Sequence, residues 1–200
     1  MFIRKKRGDF MSKDILRKEA FVLRNKLSVE EINKRSAILM DKVKNMDVFK
    51  NAKTILVYVG FDKEINTHQF IKDCIELGKE VISPICVYAD RTLILGKTPT
   101  FPEGFITTKY GILELDQNQC EQVDIKDIDL VLMPGLAFAA NGDRLGYGAG
   151  YYDKMLANKA PHTITLAPVF DEFIFDEVPT DEHDVKINYI VTESNIYHNE

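Results

Sequence analysis

The 200-residue chain reads as an α/β protein, three-layer α/β/α with a mainly parallel sheet and an N-terminal pair of helices. Three observations predict this. Apolar residues recur at helical spacing through Met46. Short, near-continuously apolar runs follow, the mark of strands buried on both faces. Those runs alternate with helical stretches, as parallel strands joined by crossover helices do.

The elements follow in order. Leu16, Ala20, Leu23 and Leu27 make a one-sided stripe that Ser12 is positioned to cap. Ser28 and Glu31 form an S-x-x-E capping box for a second helix, with Ile32, Ser36, Leu39, Val43 and Met46 on one face. The two helices are expected to form a hairpin or to pack separately on the fold behind them. Residues 54–59 read as a buried strand. Thr67 then opens a short helix that buries Phe70, Ile71, Cys74 and Leu77 and ends at Gly78. A strand over 81–83, stopped by Pro84, completes a β-α-β unit with parallel strands and a right-handed crossover. Residues 92–95 form another strand, and 98–120, punctuated by Pro99, Pro102, Gly104 and Gly111, read as irregular. A strong strand at 129–133 ends at Pro134-Gly135. A helix over about 151–158 and strands at 163–166 and 187–191 complete the pattern. Residues 1–11 are expected to be a basic, disordered extension or to mark a misassigned start, and 12–200 to form a single domain.

Composition excludes several classes. With 45% hydrophobic and 28% charged residues, a chain of this length buries a sufficient core without staples. Cys74, Cys86 and Cys120 lack CxxC spacing, which argues against a disulfide framework or thiolate metal site and for a reducing, cytoplasmic home. No apolar run approaches the roughly 20 residues of a membrane helix, and MFIRKKRGDF lacks a signal peptide's apolar stretch. The net charge of −5 disfavours a nucleic-acid binder. It also hides an asymmetry: residues 1–26 hold nine basic and three acidic side chains, net +6, leaving 27–200 at −11.

The densest chemistry lies between Asn141 and Asp153. Gly146, Gly148 and Gly150 precede a predicted helix, where backbone N–H groups and the helix start favour an anion. Arg144 can fork onto phosphate oxygens, and Asp153 in the first helical turn can hold a magnesium ion. Gly96-Lys97-Thr98 imitates the end of a P-loop, but Arg91 stands where that motif needs Gly. The connection from Asp171 to Asp184 holds seven carboxylates, one of which could meet Asp153; spacing leaves open which. Glu64 falls on a loop at the expected carboxyl end of the first strand, where ligands bind in open α/β sheets; by itself it reads as a surface Glu close to the start of the Thr67 helix. His68, His162, His183 and His198 show no ligand spacing and read as surface or loop residues.

These residues resemble a known family. Pro134-Gly135-Leu136-Ala137-Phe138, followed by Asp143-Arg144-Leu145-Gly146-Tyr147-Gly148-Ala149-Gly150-Tyr151-Tyr152-Asp153, is similar to the signature of 5-formyltetrahydrofolate cyclo-ligases. Lys13-Asp14-Ile15-Leu16-Arg17 resembles the family's K-x-x-L-R, Glu64-Ile65-Asn66-Thr67 its E-I-x-T, and Asp184-Val185-Lys186 its D-x-K. The resemblance spans residues 12–192 and implies an ATP- and Mg2+-dependent cyclisation of 5-formyltetrahydrofolate to 5,10-methenyltetrahydrofolate, releasing ADP and phosphate. It implies ATP contacts from Lys13, Asp14, Ile15, Leu16 and Arg17 and from Arg144, Leu145, Gly146, Tyr147, Gly148, Ala149, Gly150, Tyr151 and Tyr152. Folate contacts are implied for Val59, Glu64, Tyr147, Gly148, Ala149, Gly150 and Tyr151, magnesium ligands for Asp153 and Asp184, and catalytic roles for Arg144, Tyr151 and Asp153. Ala149, Leu115 and Asn188 depart from the family pattern, which loosens substrate details more than the reaction. The expected assembly is a monomer or weak homodimer without nucleic-acid or membrane partners. Two alternatives compete: the same ATP and magnesium site acting on another N-formyl substrate, and a non-catalytic nucleic-acid binder using the basic amino end.

Overall fold

The computed structural model describes residues 12–109 and 111–199, so the basic extension expected over residues 1–11 lies outside the described residues. The chain opens with α1 (Lys13–Asn25) and α2 (Val29–Lys44). Ser12 and Ser28 cap them, each side-chain oxygen accepting the N–H three residues on. Of the predicted capping box, the Ser28 half forms, while the Glu31 carboxylate pairs with Arg35 one turn later. The helices do not form a hairpin: α1 packs on a small sheet described below, and α2 packs on the main sheet.

A one-turn helix, α3 (Asp47–Asn51), leads into β1 (Thr54–Leu56). Next come α4 (His68–Glu76), β2 (Glu80–Val87) and β3 (Thr92–Lys97). β4 (Phe105–Thr107) and β5 (Leu113–Leu115) pair as an antiparallel hairpin within the stretch read as irregular. β6 (Leu130–Leu132), β7 (Ala137–Ala139) and β8 (Arg144–Leu145) precede α5 (Tyr151–Leu156). β9 (Ile164–Pro168), β10 (Ile174–Phe175), β11 (Tyr189–Val191) and β12 (Ile196–His198) complete the chain.

Seven strands form the central sheet in the order β12-β11-β9-β6-β1-β2-β3. Its five inner strands run parallel, and β3 and β12 close the two edges antiparallel. This is the mainly parallel α/β architecture that the sequence predicts. Ile55, Leu56, Leu130, Val131, Leu132, Leu166 and Ile190 are fully buried, as continuous apolar strands between covering layers must be. A second sheet, β10-β7-β8, packs against α1 through Leu16, Ala137, Ala139, Leu145 and Val178.

Two expectations are corrected. Pro84 does not stop β2, which continues to Val87: β1 pairs it only as far as Ile82, so the missing N–H of Pro84 costs no bond to that neighbour. Leu77 is 61% exposed rather than buried, because α4 ends at Glu76 and the chain turns back at Gly78, where φ is +73°.

Candidate functional site at the switch point of the sheet

From β1 the strand order runs outward in both directions, to β2 on one side and β6 on the other. In such sheets the crevice beyond the carboxyl ends of the strands at the reversal is the usual ligand site. A cleft of about 370 Å3, open mouth included, lies there, lined by Tyr58 after β1, Pro134 and Gly135 after β6, and Val169 and Phe170 after β9. Glu64 and Tyr147 line it too.

The E-I-x-T segment is built to hold Glu64 in this place. Thr67 is fully buried; its hydroxyl donates to Tyr58 O at 2.6 Å and accepts from Gly60 N at 2.9 Å, closing the β1–α4 loop on itself. Ile65 is buried beneath the loop, and a Cβ on Gly60 would stand 2.2 Å from its carbonyl oxygen. Thr67 therefore serves as a loop clamp. The cap of α4 falls to Asn66, whose Oδ1 accepts from His68 N at 2.9 Å. His68 is not a bare surface residue: its Nε2 lies 3.0 Å from Gly60 O and its ring packs edge-on against Phe101. Glu64 Oε2 accepts from Phe61 N at 3.1 Å, and Oε1 accepts from the Tyr147 hydroxyl. Burial pushes the Glu64 carboxyl above its ordinary range, outweighing the downward pull of the Tyr147 hydroxyl, the Phe61 N–H and the Arg24 charge. Tyr147 is correspondingly held protonated by burial and by the Glu64 charge, although the residue as a whole is 45% exposed.

On the other flank of the glycine loop stands α1. Arg17 Nε donates to Gly146 O at 3.2 Å, and its guanidinium carbon lies 3.4 Å from where a Cβ on Gly148 would be. Gly148 has φ +105°, so both its backbone and its neighbour favour glycine there. Lys13 Nζ donates to Asp184 at 2.5 Å and to Asp181 at 2.7 Å. Burial disfavours the Lys13 ammonium, but these two hydrogen bonds outweigh it and hold its pKa above the ordinary value. Asp184 is held below its ordinary value: burial opposes this, and the Lys13 bond, the Asp181 N–H and the charges of Lys13 and Arg144 prevail.

Arg144 and Asp153 form a pair of 2.7 Å beneath the loop, with side chains 5% and 18% exposed. Asp153 Oδ1 also accepts from Val185 N at 3.4 Å, which brings it next to the segment bearing Asp184. Arg144 Nε and the Tyr152 hydroxyl are buried without a hydrogen-bond partner among the described residues. Orphaned buried donors of this kind are rare in folded chains. Among the described residues no cluster of three or more His, Cys, Asp or Glu side chains could enclose a metal unaided. Two neighbouring carboxylates nonetheless suit Mg2+, which takes one or two carboxylates and completes its shell with water and substrate phosphates.

Of the predicted site residues, Lys13, Arg17, Arg144, Gly146, Gly148, Asp153 and Asp184 thus gather on one side of the loop, and Glu64 with Tyr147 on the other. Leu16 and Leu145 do not offer side chains to a ligand, being 0% and 1% exposed in the core beneath α1. Ile15 points outward, 47% exposed, while Arg17 holds Asp14 at 2.8 Å. The groups that act electrostatically on Tyr151 are Cys86, Arg91, Glu114 and Asp90, around the β2–β3 turn and β5, and Arg144 and Asp153 are not among them. The cleft also holds Arg24, Lys63 and Phe173, which the sequence reading did not single out. Of these Arg24 alone carries a readable signal, as a cation in the last turn of the same basic helix as Lys13 and Arg17.

The fold and site define a doubly wound α/β protein with a cleft at the sheet's switch point, the usual ligand position in such folds. The model of the 5-formyltetrahydrofolate cyclo-ligase family matches residues 9–193, and the chain belongs to that family of enzymes. A mouse protein named 5-formyltetrahydrofolate cyclo-ligase is 30% identical over 175 residues, covering 84% of this chain and 86% of its own. A Caenorhabditis elegans protein named probable 5-formyltetrahydrofolate cyclo-ligase is 28% identical, covering 90% and 92%. Among solved structures, the 5,10-methenyltetrahydrofolate synthetase of Aquifex aeolicus superposes with a TM-score of 0.81 at 28% identity, covering 94% of this chain and 93% of that one. By its family the chain is an enzyme, a cyclo-ligase. No helix among the described residues is long and apolar enough to cross a membrane.

Proposed function

We propose that residues 12–200 act as one unit that uses ATP and Mg2+ to cyclise 5-formyltetrahydrofolate to 5,10-methenyltetrahydrofolate, releasing ADP and phosphate. The observation that carries this reading is the two-sided glycine loop, with Arg17 against Gly146 on one flank and Glu64 against Tyr147 on the other. Phosphoryl transfer needs its donor and acceptor held in line across a short gap, and a loop touching both supplies that.

The formyl oxygen attacks the γ-phosphorus, ADP leaves, and the N5-formyl carbon becomes an iminium-like electrophile. N10 adds to that carbon. The N10 proton is lost and the C–O bond to phosphate breaks, giving the methenyl ring and inorganic phosphate. Lys13 and Arg17 would neutralise the polyphosphate from the α1 side, and Arg144, with its unused Nε, would hold the transferring group. Asp153 and Asp184 would hold Mg2+, which supplies charge neutralisation between phosphate oxygens when bound. Glu64 is an acceptor suited to the N–H groups of the folate ring.

The decisive test is incubation of the purified chain with 5-formyltetrahydrofolate and Mg-ATP, following the methenyl product's near-visible absorbance and ADP release. Both signals should rise together and require the divalent ion. A flat trace with active folate would overturn the reading. ADP release with other N-formyl compounds but not with this folate would favour a different substrate.

A further inference from the structure

Arg24 lies in the last turn of α1, the helix that begins at Lys13 and carries Arg17. Its guanidinium reaches into the cleft. Nη2 donates to Gly135 O at 2.8 Å and Nη1 donates to the Tyr147 hydroxyl, with the Tyr147 and Phe173 ring centres 5.6 and 5.8 Å away. Tyr147 in turn donates to Glu64. One side chain therefore ties α1, the loop after β6, the glycine loop and the β1–α4 loop together.

Three features separate Arg24 from an ordinary surface cation. In a chain of net −5 it makes no direct ion pair with a carboxylate among the described residues, its planar fork being spent on a carbonyl and a phenol. That two-pronged geometry is one a lysine cannot reproduce. Its guanidinium, moreover, lies over two aromatic rings at once, those of Tyr147 and Phe173.

We propose that Arg24 is a positioning residue that fixes the Tyr147–Glu64 pair on the folate side in register with α1 on the nucleotide side. This rests on the two-sided reading of the loop given above. The groups that face Glu64 are the Tyr147 hydroxyl, the Phe61 N–H, Arg24 and Asp62, with Lys63 lining the same cleft. Arg24 is the nearby cation that opposes the effect of burial on Glu64, so its removal lets this carboxyl protonate at higher pH.

The test uses steady-state kinetics against pH on the intact chain, wild type first. Arg24→Lys should lower kcat/KM for 5-formyltetrahydrofolate about ten- to a hundredfold by loosening the pair, with KM for ATP changed less than about twofold. It should leave the acid limb of the pH profile in place, because the charge is kept. Arg24→Gln should lose as much and move that limb to higher pH. Combining it with Tyr147→Phe should cost no more than either change alone, since both break one link. Losses that multiply in the double variant, or an Arg24→Gln profile that overlays the wild type, would overturn the inference. If Arg24→Gln fails to fold, Arg24→Lys and Tyr147→Phe decide, since Arg24→Lys with wild-type kinetics is equally fatal. A wild-type chain without turnover would instead overturn the proposed function, and this inference with it.

Discussion

Asp153→Ala offers the sharpest test of the site, because its cost can be worked from the pair it breaks. Arg144 and Asp153 meet at 2.7 Å with side chains 5% and 18% exposed, and Arg144 Nε already lacks a partner. Removing the carboxylate leaves a desolvated guanidinium with a single long bond, to Pro134 O at 3.5 Å. Breaking one side of a buried pair costs about 3–5 kcal/mol. Water reaching the Asp153 side puts this case near the lower end, about 3 kcal/mol. For a chain of this size that is a fall of roughly 6–12 °C in Tm. Arg144→Met should cost less, about 1–2 kcal/mol, because the partly exposed carboxylate it strands can be solvated and keeps the Val185 N–H. The double variant should therefore be more stable than the sum of the singles, by about 1–3 kcal/mol. Thermal and urea melts of the four proteins close the cycle, and turnover should be lost in both single variants. Strict additivity, or an Asp153→Ala melt within about 2 °C of the wild type, would refute the claim that the two groups act as one.

Four further outcomes are expected. Gly148→Ala, forced to φ +105° with its Cβ 3.4 Å from the Arg17 guanidinium, should cost about 1–3 kcal/mol by melting and raise KM for ATP more than KM for the folate. Tyr152→Phe should melt at or above the wild-type temperature, since it removes a buried hydroxyl that has no partner; a loss above about 1 kcal/mol would mean that the hydroxyl is satisfied after all. Folate turnover should fall on the acid side at a pH above that of an ordinary glutamate, because burial raises the Glu64 pKa and protonation removes its acceptor; Glu64→Gln should abolish that limb. Glu172 runs the other way: burial is outweighed by its bonds to Arg35, so its native pKa is depressed, and the stability it contributes is present above its ordinary 4.5 and lost as pH falls through the native value. Melts of Arg35→Met from pH 7 to pH 3 should show a shallower acid loss than the wild type.

The parts of the fold legible in the sequence are those that repeat a local rule. Ser12 and Ser28 announce their helices because a cap is satisfied three residues away, and 54–59 and 129–133 announce buried strands because every residue after Thr54 and after Asp129 is apolar or aromatic. β7, β8 and β10 are two or three residues each, too short for any period, and the pairing of β10 with β7 joins segments more than 30 residues apart. Pro84 misled because its tolerance depends on where β1 stops, a tertiary fact. In the site, the glycine loop is readable from spacing, whereas Glu64 reads by itself as a surface residue and is singled out only by the family resemblance. Arg24 is not readable, since its meaning lies in partners 111 and 123 positions away, and a helix-surface arginine looks alike in sequence whatever it touches.

The charge asymmetry of the sequence acquires a physical meaning in the fold. Cations of α1 and α2 are laid against the carboxyl-terminal segment: Lys13 on Asp181 and Asp184, Arg35 on Glu172 and Glu193, and Lys42 on the carbonyls of Thr192 and Glu193. The Lys13 and Arg35 pairs join segments about 140–170 positions apart. Arg35 is locked, bidentate to Glu172 and stacked 4.3 Å from Phe170, as a structural cation should be. Lys13 is held by a flexible stem between two carboxylates and can rotate its three donors toward another anion. On the proposed reading, an arriving polyphosphate would draw Lys13 away and leave Asp184 uncompensated beside more negative charge. A divalent cation removes that penalty by taking over Asp184 together with Asp153. Lys13→Met should therefore weaken ATP binding while lowering the Mg2+ concentration needed for half-maximal activity, because the ion would no longer compete with an ammonium for Asp184. An unchanged or raised Mg2+ requirement in that variant would show that Lys13 and the ion do not share this carboxylate.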